Sequence, residues 1–474
     1  MSAPSDMPDI AAPAPLAHLA RRIAALESGL LERGEAVRLA LLAALAGEHV
    51  LLIGPPGTAK SALARRLQHA FEGARWFERL LTRFSVPEEL FGPLSLKALE
   101  DDRYERLLDG YLPTAGIAFL DEVFKANSAI LNALLTLLNE REFDNGSGRV
   151  ATPLVCVIGA SNEVPGDESL HAFYDRFLVR IPVGLVSDAR FADLLALDDL
   201  APGFDAPPIA PSERAAARAA RERVTLGPDN LEMLAAVRAW LREHGIAVSD
   251  RRWRQTVGLL KTAAATSGRT AVASWDLWLL PYCLAESPAQ LPALARWVQE
   301  ELLGARPVEA PGLSRAAEAF ERQLTIESEA RQEDGEAGKL ALARAIAGTD
   351  SAGEGMPRLV AAGAEERLRR RYGPLHVAAR VGQVDELLRQ AGDALAPLLE
   401  REARVRRELP AAAPWMPPEL VTRIVEAAAR SVSTLEGLVL RLRSLRAGFA
   451  ALPVDPTLPG TAPEPLRWAG EAAT

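Results

Sequence analysis

Apolar positions along this chain fall into two regimes. Short, continuous apolar runs at 50–53, 117–120 and 154–160, and 177–181 with Arg180 alone as a polar residue, have no polar alternation, as strands buried on both faces require. Residues 76–81 read as a further strand. Between these runs the apolar positions recur at helical spacing, over 16–31, 35–46 and 130–138, and Gly47 stands where a helix C-cap is needed. Residues 82–93 read as a loop holding a short helix. Residues 94–113 combine alternation at Leu94, Leu96 and Ala98 with an Asp101-Asp102 turn, which predicts an exposed hairpin or insert. Asn145-Gly146 marks a tight hairpin turn. Strands alternating with helices predict an α/β fold, a parallel sheet flanked by helices, over 16–194.

The pattern then changes. A linker rich in proline, aspartate and alanine covers 195–211, and helical stretches at 230–244, 250–265 and 274–303 predict an all-α domain over 212–304. A break at 305–311 precedes helical periodicity at 313–347, 365–372, 381–407 and 420–450. The last keeps one face apolar from Val421 to Phe449, so 305–451 reads as a helical bundle. Residues 348–357 are small and polar. Residues 1–15 read as a flexible N-terminus and 452–474 as a disordered tail.

Composition narrows the function classes. The 474 residues are 49% hydrophobic and 25% charged, with a formal net charge of −9, which disfavours non-specific nucleic-acid binding as the main activity. No apolar run approaches the ~20 residues that span a bilayer. Residues 1–15 carry acids where a signal peptide needs a basic start, so a cytoplasmic location is expected. The two cysteines, Cys156 and Cys283, lie in apolar segments and read as buried free thiols.

The chemistry concentrates in Gly54-Pro55-Pro56-Gly57-Thr58-Ala59-Lys60-Ser61, between a predicted strand and a predicted helix. A loop that wraps phosphate oxygens needs backbone N–H groups at close range, which Gly54 and Gly57 allow, and a charge, which Lys60 supplies at the helix N-terminus. Ser61 is placed to ligate Mg²⁺, and Ala59 stands where glycine is usual. The run 117–120 ends in Asp121 and Glu122. At the carboxyl end of a buried parallel strand these acids emerge beside the loop, Asp121 to hold Mg²⁺ through water and Glu122 to polarise the attacking water. Asn162, after the strand at 154–160, can bond a γ-phosphate oxygen and that water, or simply cap its loop.

In this order, Gly54 to Ser61, residues 119–122, Ser161-Asn162-Glu163, Asp175-Arg176-Phe177 and Ser249-Asp250-Arg251 resemble the MoxR group of AAA+ ATPases over roughly 17–304. Residues 82–95, 104–113 and 248–253 resemble its RavA branch (regulatory ATPase variant A). Residues 415–443 look like the C-terminal helix of that branch's triple-helical domain, whose small β-rich domain has no counterpart in 348–380. The resemblance implies an AAA+ core with an all-α lid, a helix-two insert at 94–113, a hairpin at 141–152, and ATP with Mg²⁺ at the interfaces of a hexameric ring. It makes Asn162 the first sensor, Arg176 an arginine finger serving the neighbour's ATP, and Arg251, or alternatively Arg252, the second sensor. It also implies a partner bearing a von Willebrand factor A domain and the remodelling or activation of a protein. A nucleotide-gated scaffold, a DNA-acting motor and a metal-chelatase-type motor remain the competing readings. Every chemical residue precedes Trp253, so the region beyond Gly304 is expected to be dispensable for hydrolysis.

Overall fold

The computed structural model describes residues 18–146, 148–167, 170–197, 204–330, 370–412, 414–458 and 460–466. The expectations for 1–15, 331–357, 365–369 and 467–474 lie outside them. Two units are present, Met1–Ala305 with Arg407–Ile424, and Arg306–Arg406 with Val425–Thr474.

In the first unit the continuous apolar runs become β1 (His49–Ile53), β3 (Ile117–Asp121), β6 (Cys156–Ser161) and β7 (Phe177–Pro182), joined at one edge by β2 (Trp76–Leu80). All pairings are parallel, in the order β2-β3-β6-β1-β7. Every residue of β1 and β6 is buried, which explains why neither sequence alternates. The register aligns Ile53 with Ser161 and with Pro182, and Leu80 with Asp121. Residues 54, 122, 162 and 183 therefore leave the sheet at one end, and His49 and Phe177 enter it at the other. Helices α1 (Leu19–Glu27), α2 (Gly34–Ala46), α3 (Lys60–His69) and α6 (Ser128–Glu140) complete the core. Asn127 caps α6 by accepting from the Ile130 N–H, and Gly47 ends α2 in the left-handed conformation.

The insert departs from the hairpin expectation. Its alternating residues form a helical turn, α5 (Leu96–Glu100), after the short α4 (Pro87–Phe91), and only a single antiparallel bridge joins Leu94 to Arg106. Ser95 caps α5 through Ala98 N–H, and Ala98 alone of the helix is buried, so no strand face existed to be covered. The insert docks on the hairpin of β4 (Glu142–Asp144) and β5 (Arg149–Ala151): Asn145 Oδ1 accepts from Arg106 N–H at 2.8 Å. Gly146 sits at φ +80° with its ideal Cβ position 1.8 Å from Tyr104 O, so glycine alone fits there.

Two short helices border β7, α7 (His171–Tyr174) before it and α8 (Phe191–Leu195) after it. The expected linker at 195–211 is tied down at its far end, where buried Ile209 exchanges backbone bonds with Ala70 and Glu72. A helix unmarked by an apolar face follows, α9 (Pro211–Arg223), which buries only Ala217. Then come α10 (Pro228–Glu243) and α11 (Asp250–Thr266), the latter packed on α2 and α9. The single helix expected over 274–303 is interrupted: a 3-10 segment at Ser274–Leu279, α12 (Leu280–Leu284), α13 (Leu291–Trp297) and a π turn at Val298–Leu302. Pro281 and Pro292 each start a new helix, as a residue without an N–H does. Both cysteines are buried free thiols, and burial pushes each up to about 12.

The second unit packs α14 (Pro311–Glu329) against parts of α15 (Pro374–Ala412) and α16 (Pro418–Ala450), around Phe320, Val384, Leu387, Leu442 and Phe449. Residues 370–372 are extended rather than helical, and Tyr372 bridges Val454. The described part of the expected disordered tail is held: Leu452 is buried, and Glu464 O accepts from Arg380 Nη1 at 3.0 Å.

The joint between α15 and α16 belongs to the first unit, so part of the chain beyond Gly304 helps to hold the unit that carries the loop at 54–61. Trp415, 2% exposed, donates its indole N–H to Thr266 Oγ1 at 2.9 Å, and Arg38 donates to Pro414 O. Met416, Leu420 and Ile424 are buried beside it. Trp415→Ala is expected to destabilise the first unit by about 3–5 kcal/mol, read by denaturant unfolding. A chain cut after Gly304 that melts and hydrolyses ATP as the intact chain does would refute this.

Candidate functional site

The loop after β1 is built around close backbone approaches. Gly54 N–H donates to Ser161 O at 3.0 Å, and a Cβ on Gly54 would stand 2.0 Å from Val183 O, so only glycine can leave the strand here. Pro55, Pro56 and Gly57 are exposed, with Gly57 at φ +79°. Buried Thr58 donates its hydroxyl back to Pro55 O. Ala59 takes the left-handed backbone (φ 64°) that glycine would adopt freely, at a cost of roughly 1–2 kcal/mol. Lys60 opens α3, and its Nζ donates to Gly54 O (2.7 Å) and Pro55 O (2.8 Å), inside the curve of the loop. Burial lowers the Lys60 pKa, opposed by the charges of Asp121 and Glu122, which places both carboxylates within electrostatic reach of the ammonium.

Asp121 ends β3, and its Oδ1 accepts the N–H of Glu122 at 3.0 Å. Glu122 itself lies at φ 51°, a strained conformation for a side chain without a local hydrogen-bonding amide. Its Oε1 accepts from Asn162 Nδ2 at 2.6 Å, and Oε2 faces Lys125 Nζ at 3.3 Å. Asn162 is thus aimed at the acid rather than capping its own loop, a task left to Ser161, whose hydroxyl donates to Glu163 O. Ser61, exposed on the first turn of α3, and Asp121 are both oxygen donors. Magnesium bound largely through phosphates needs one or two such protein ligands, so this donor set fits it.

Arg33 was not foreseen as part of the site. It is 6% exposed at the start of α2; its Nε donates to Thr58 O (3.2 Å) and its Nη2 to Gly184 O (2.7 Å). It therefore braces the loop at 54–61 against the segment after β7. Beside it, both oxygens of Glu32 accept from the N–H and hydroxyl of Ser187.

The three sequence-marked arginines lie elsewhere. Arg176 immediately precedes β7, whose Phe177 pairs with His49 at the start of β1. Arg251, at the start of α11, donates to Asn139 Oδ1 at 2.8 Å, and Gln255, one turn later, donates to Glu48. Both arginines thus lie at the end of the sheet where β1 begins, while the loop at 54–61 leaves its other end, roughly 16 Å along a five-residue strand. Burial and then the Arg251 charge lower the Arg176 pKa, and the 3.0 Å ion pair of their sequence neighbours Arg252 and Asp175 ties both positions to one edge. Arg176 Nε is buried without a hydrogen-bond partner, and Asp175, its one candidate ion-pair partner in sequence, is committed to Arg252.

Arg252 is separated from Arg251 by one helical step but points inward. At 3% exposure it donates to Asp175 Oδ1, Phe177 O, Leu178 O and Cys283 O, a structural clamp between α11, α12 and β7. Of the two candidates for the second sensor, only Arg251 is accessible. Arg252→Ala strands a half-buried carboxylate and three carbonyl oxygens, and is expected to cost about 3–5 kcal/mol of stability. Arg251→Ala should leave the melting temperature unchanged; equal effects on melting would contradict the assignment.

The family models match the segments that hold the loop at 54–61, both acids, Asn162 and the three arginines. Residues 17–201 match the family model described as the MoxR domain in the MoxR-vWA-beta-propeller ternary systems, and residues 229–298 match an AAA lid domain. An uncharacterised protein of Methanocaldococcus jannaschii is 42% identical over 265 residues, covering 56% of this chain and 70% of its own. A second from the same organism is 43% identical over 259 residues, covering 54% and 67%. Protein MoxR of Paracoccus denitrificans is 30% identical over 192 residues, covering 37% of this chain and 55% of its own. No helix among the described residues is long and apolar enough to cross a membrane.

Proposed function

The chain belongs to the MoxR type of AAA+ ATPases, and from that premise we propose that it hydrolyses ATP in a ring whose sites are completed by neighbouring copies, to remodel or activate a partner protein. The observation that carries this reading is the 2.6 Å bond from Asn162 Nδ2 to Glu122 Oε1, next to a phosphate loop whose lysine is already poised inside it. The loop's backbone N–H groups and Lys60 bind the β- and γ-phosphates, the helix α3 N-terminus adding its dipole. Ser61 and Asp121 would hold Mg²⁺, which supplies neutralisation of phosphate charge. Glu122 takes the proton from the attacking water, and Asn162 orients Glu122 and that water.

Ring assembly is inferred from Arg176 and Arg251, which stand at the end of the sheet away from their own loop and so serve a neighbour's γ-phosphate. Six copies, the chaperone-like role and the RavA-like branch rest on the sequence resemblance. A partner with a von Willebrand factor A domain is supported by the description of the matching MoxR domain. Lys60→Ala is expected to abolish binding of a fluorescent ATP analogue with no loss of melting temperature, because it removes the one ammonium in the loop. Retained binding would remove the nucleotide site from this reading.

A further inference from the structure

We propose that the exposed apolar patch of Leu185, Phe191, Leu194 and Leu195 is the surface on which the neighbouring copy of this chain docks its Arg176-bearing edge. The proposal rests on the ring reading and names the contact that builds it. Helix α8 buries none of its five residues, although three of them are large and apolar. Leu185 is 74% exposed, Phe191 54% and Leu195 72%, a concentration of apolar surface that a lone monomer has no reason to keep in water.

Position identifies the occupant. The segment 184–187 is strapped to residues 32 and 33, through Arg33 to Gly184 O and Ser187 to Glu32, and Arg33 also holds Thr58 O of the phosphate loop. The patch therefore sits on the loop's own end of the sheet. Arg176 and Arg251 sit at the opposite end and cannot serve their own loop, so a complete site brings a second copy's arginine edge to the edge that carries the patch. A head-to-tail contact of this kind joins two different surfaces and generates a ring when its rotation closes. A charged rim borders the patch, with Glu32, Asp188 and the Arg190–Asp193 ion pair. Apolar surface at the centre with a charged rim is how such interfaces are composed.

The test is the full-length double variant Phe191→Asp, Leu195→Asp, followed by sedimentation with a non-hydrolysable ATP analogue. Both side chains are exposed, so the melting temperature and binding of the fluorescent analogue should stay at wild-type values. Assembly should be lost and ATPase should fall at least tenfold, while Phe191→Leu should preserve both. A double variant that assembles as the wild type does overturns the patch. So does one that melts earlier yet still assembles, which would mean that the patch is packed within its own chain. A wild-type chain that stays monomeric with nucleotide overturns the ring reading and this contact together, which separates the two failures.

Discussion

A chain carrying Glu122→Gln is expected to bind ATP with wild-type affinity and to cleave it about 10²-fold or more slowly, the ordinary worth of a positioned general base. Glutamine keeps the carboxyl shape, and its side-chain oxygen still accepts from Asn162, so the 2.6 Å contact and the local fold survive. The 3.3 Å pairing with Lys125, whose side chain is exposed, is lost, and such pairs contribute little. What disappears is the capacity to take a proton. The backbone argues in the same direction: Glu122 holds φ 51°, where glycine or asparagine would sit with less strain, and strain retained at a polar side chain is a reason to look for function there. Single-turnover hydrolysis measures the effect, and assemblies trapped with ATP should accumulate and retain partner proteins. Unchanged turnover would remove Glu122 from the chemistry.

The placement of the loop at 54–61 beside both acids was legible because strand, glycine turn and helix follow one another at fixed spacing, and the buried strands because a sheet covered on both faces leaves no polar alternation. Arg33 was illegible for the opposite reason. Its partners Thr58 and Gly184 lie 25 and 151 residues away, so nothing local distinguishes it from a solvated arginine. Arg251 and Arg252 were inseparable in sequence because adjacent helical positions differ only by a rotation of about 100° about the axis. Which of them faces the protein is decided by α12 and β7, not by α11. The segment at 407–424 shows the same limit, since an apolar stripe reveals that a helix face is buried but not which neighbour buries it. In the insert, Leu94, Leu96 and Ala98 alternate as a strand would, but the Ser95 cap was the stronger local signal.

Mixing variants should show which subunit supplies each arginine. Arg176→Ala alone is expected to lose about 10³-fold or more in turnover, the scale of an arginine that stabilises charge on the transferred phosphoryl group. Lys60→Ala alone should be inactive for lack of nucleotide. In rings that contain both, some interfaces pair an intact loop from the Arg176→Ala chain with an intact edge from the Lys60→Ala chain, so ATPase should partly recover. Arg251→Ala should be rescued by Lys60→Ala in the same way. The informative mixture is Arg176→Ala with Arg251→Ala. Because the two arginines lie at one edge of one chain, every edge in that mixture lacks one of them, and activity should stay low. Had Arg251 served its own chain's nucleotide, the loop of an Arg176→Ala subunit would keep its own Arg251 and receive Arg176 from its neighbour, and activity would return. Recovery in that mixture would therefore move Arg251 to the same subunit's site. Wild-type turnover by Arg176→Ala alone would remove the trans-acting edge and the main structural argument for a ring.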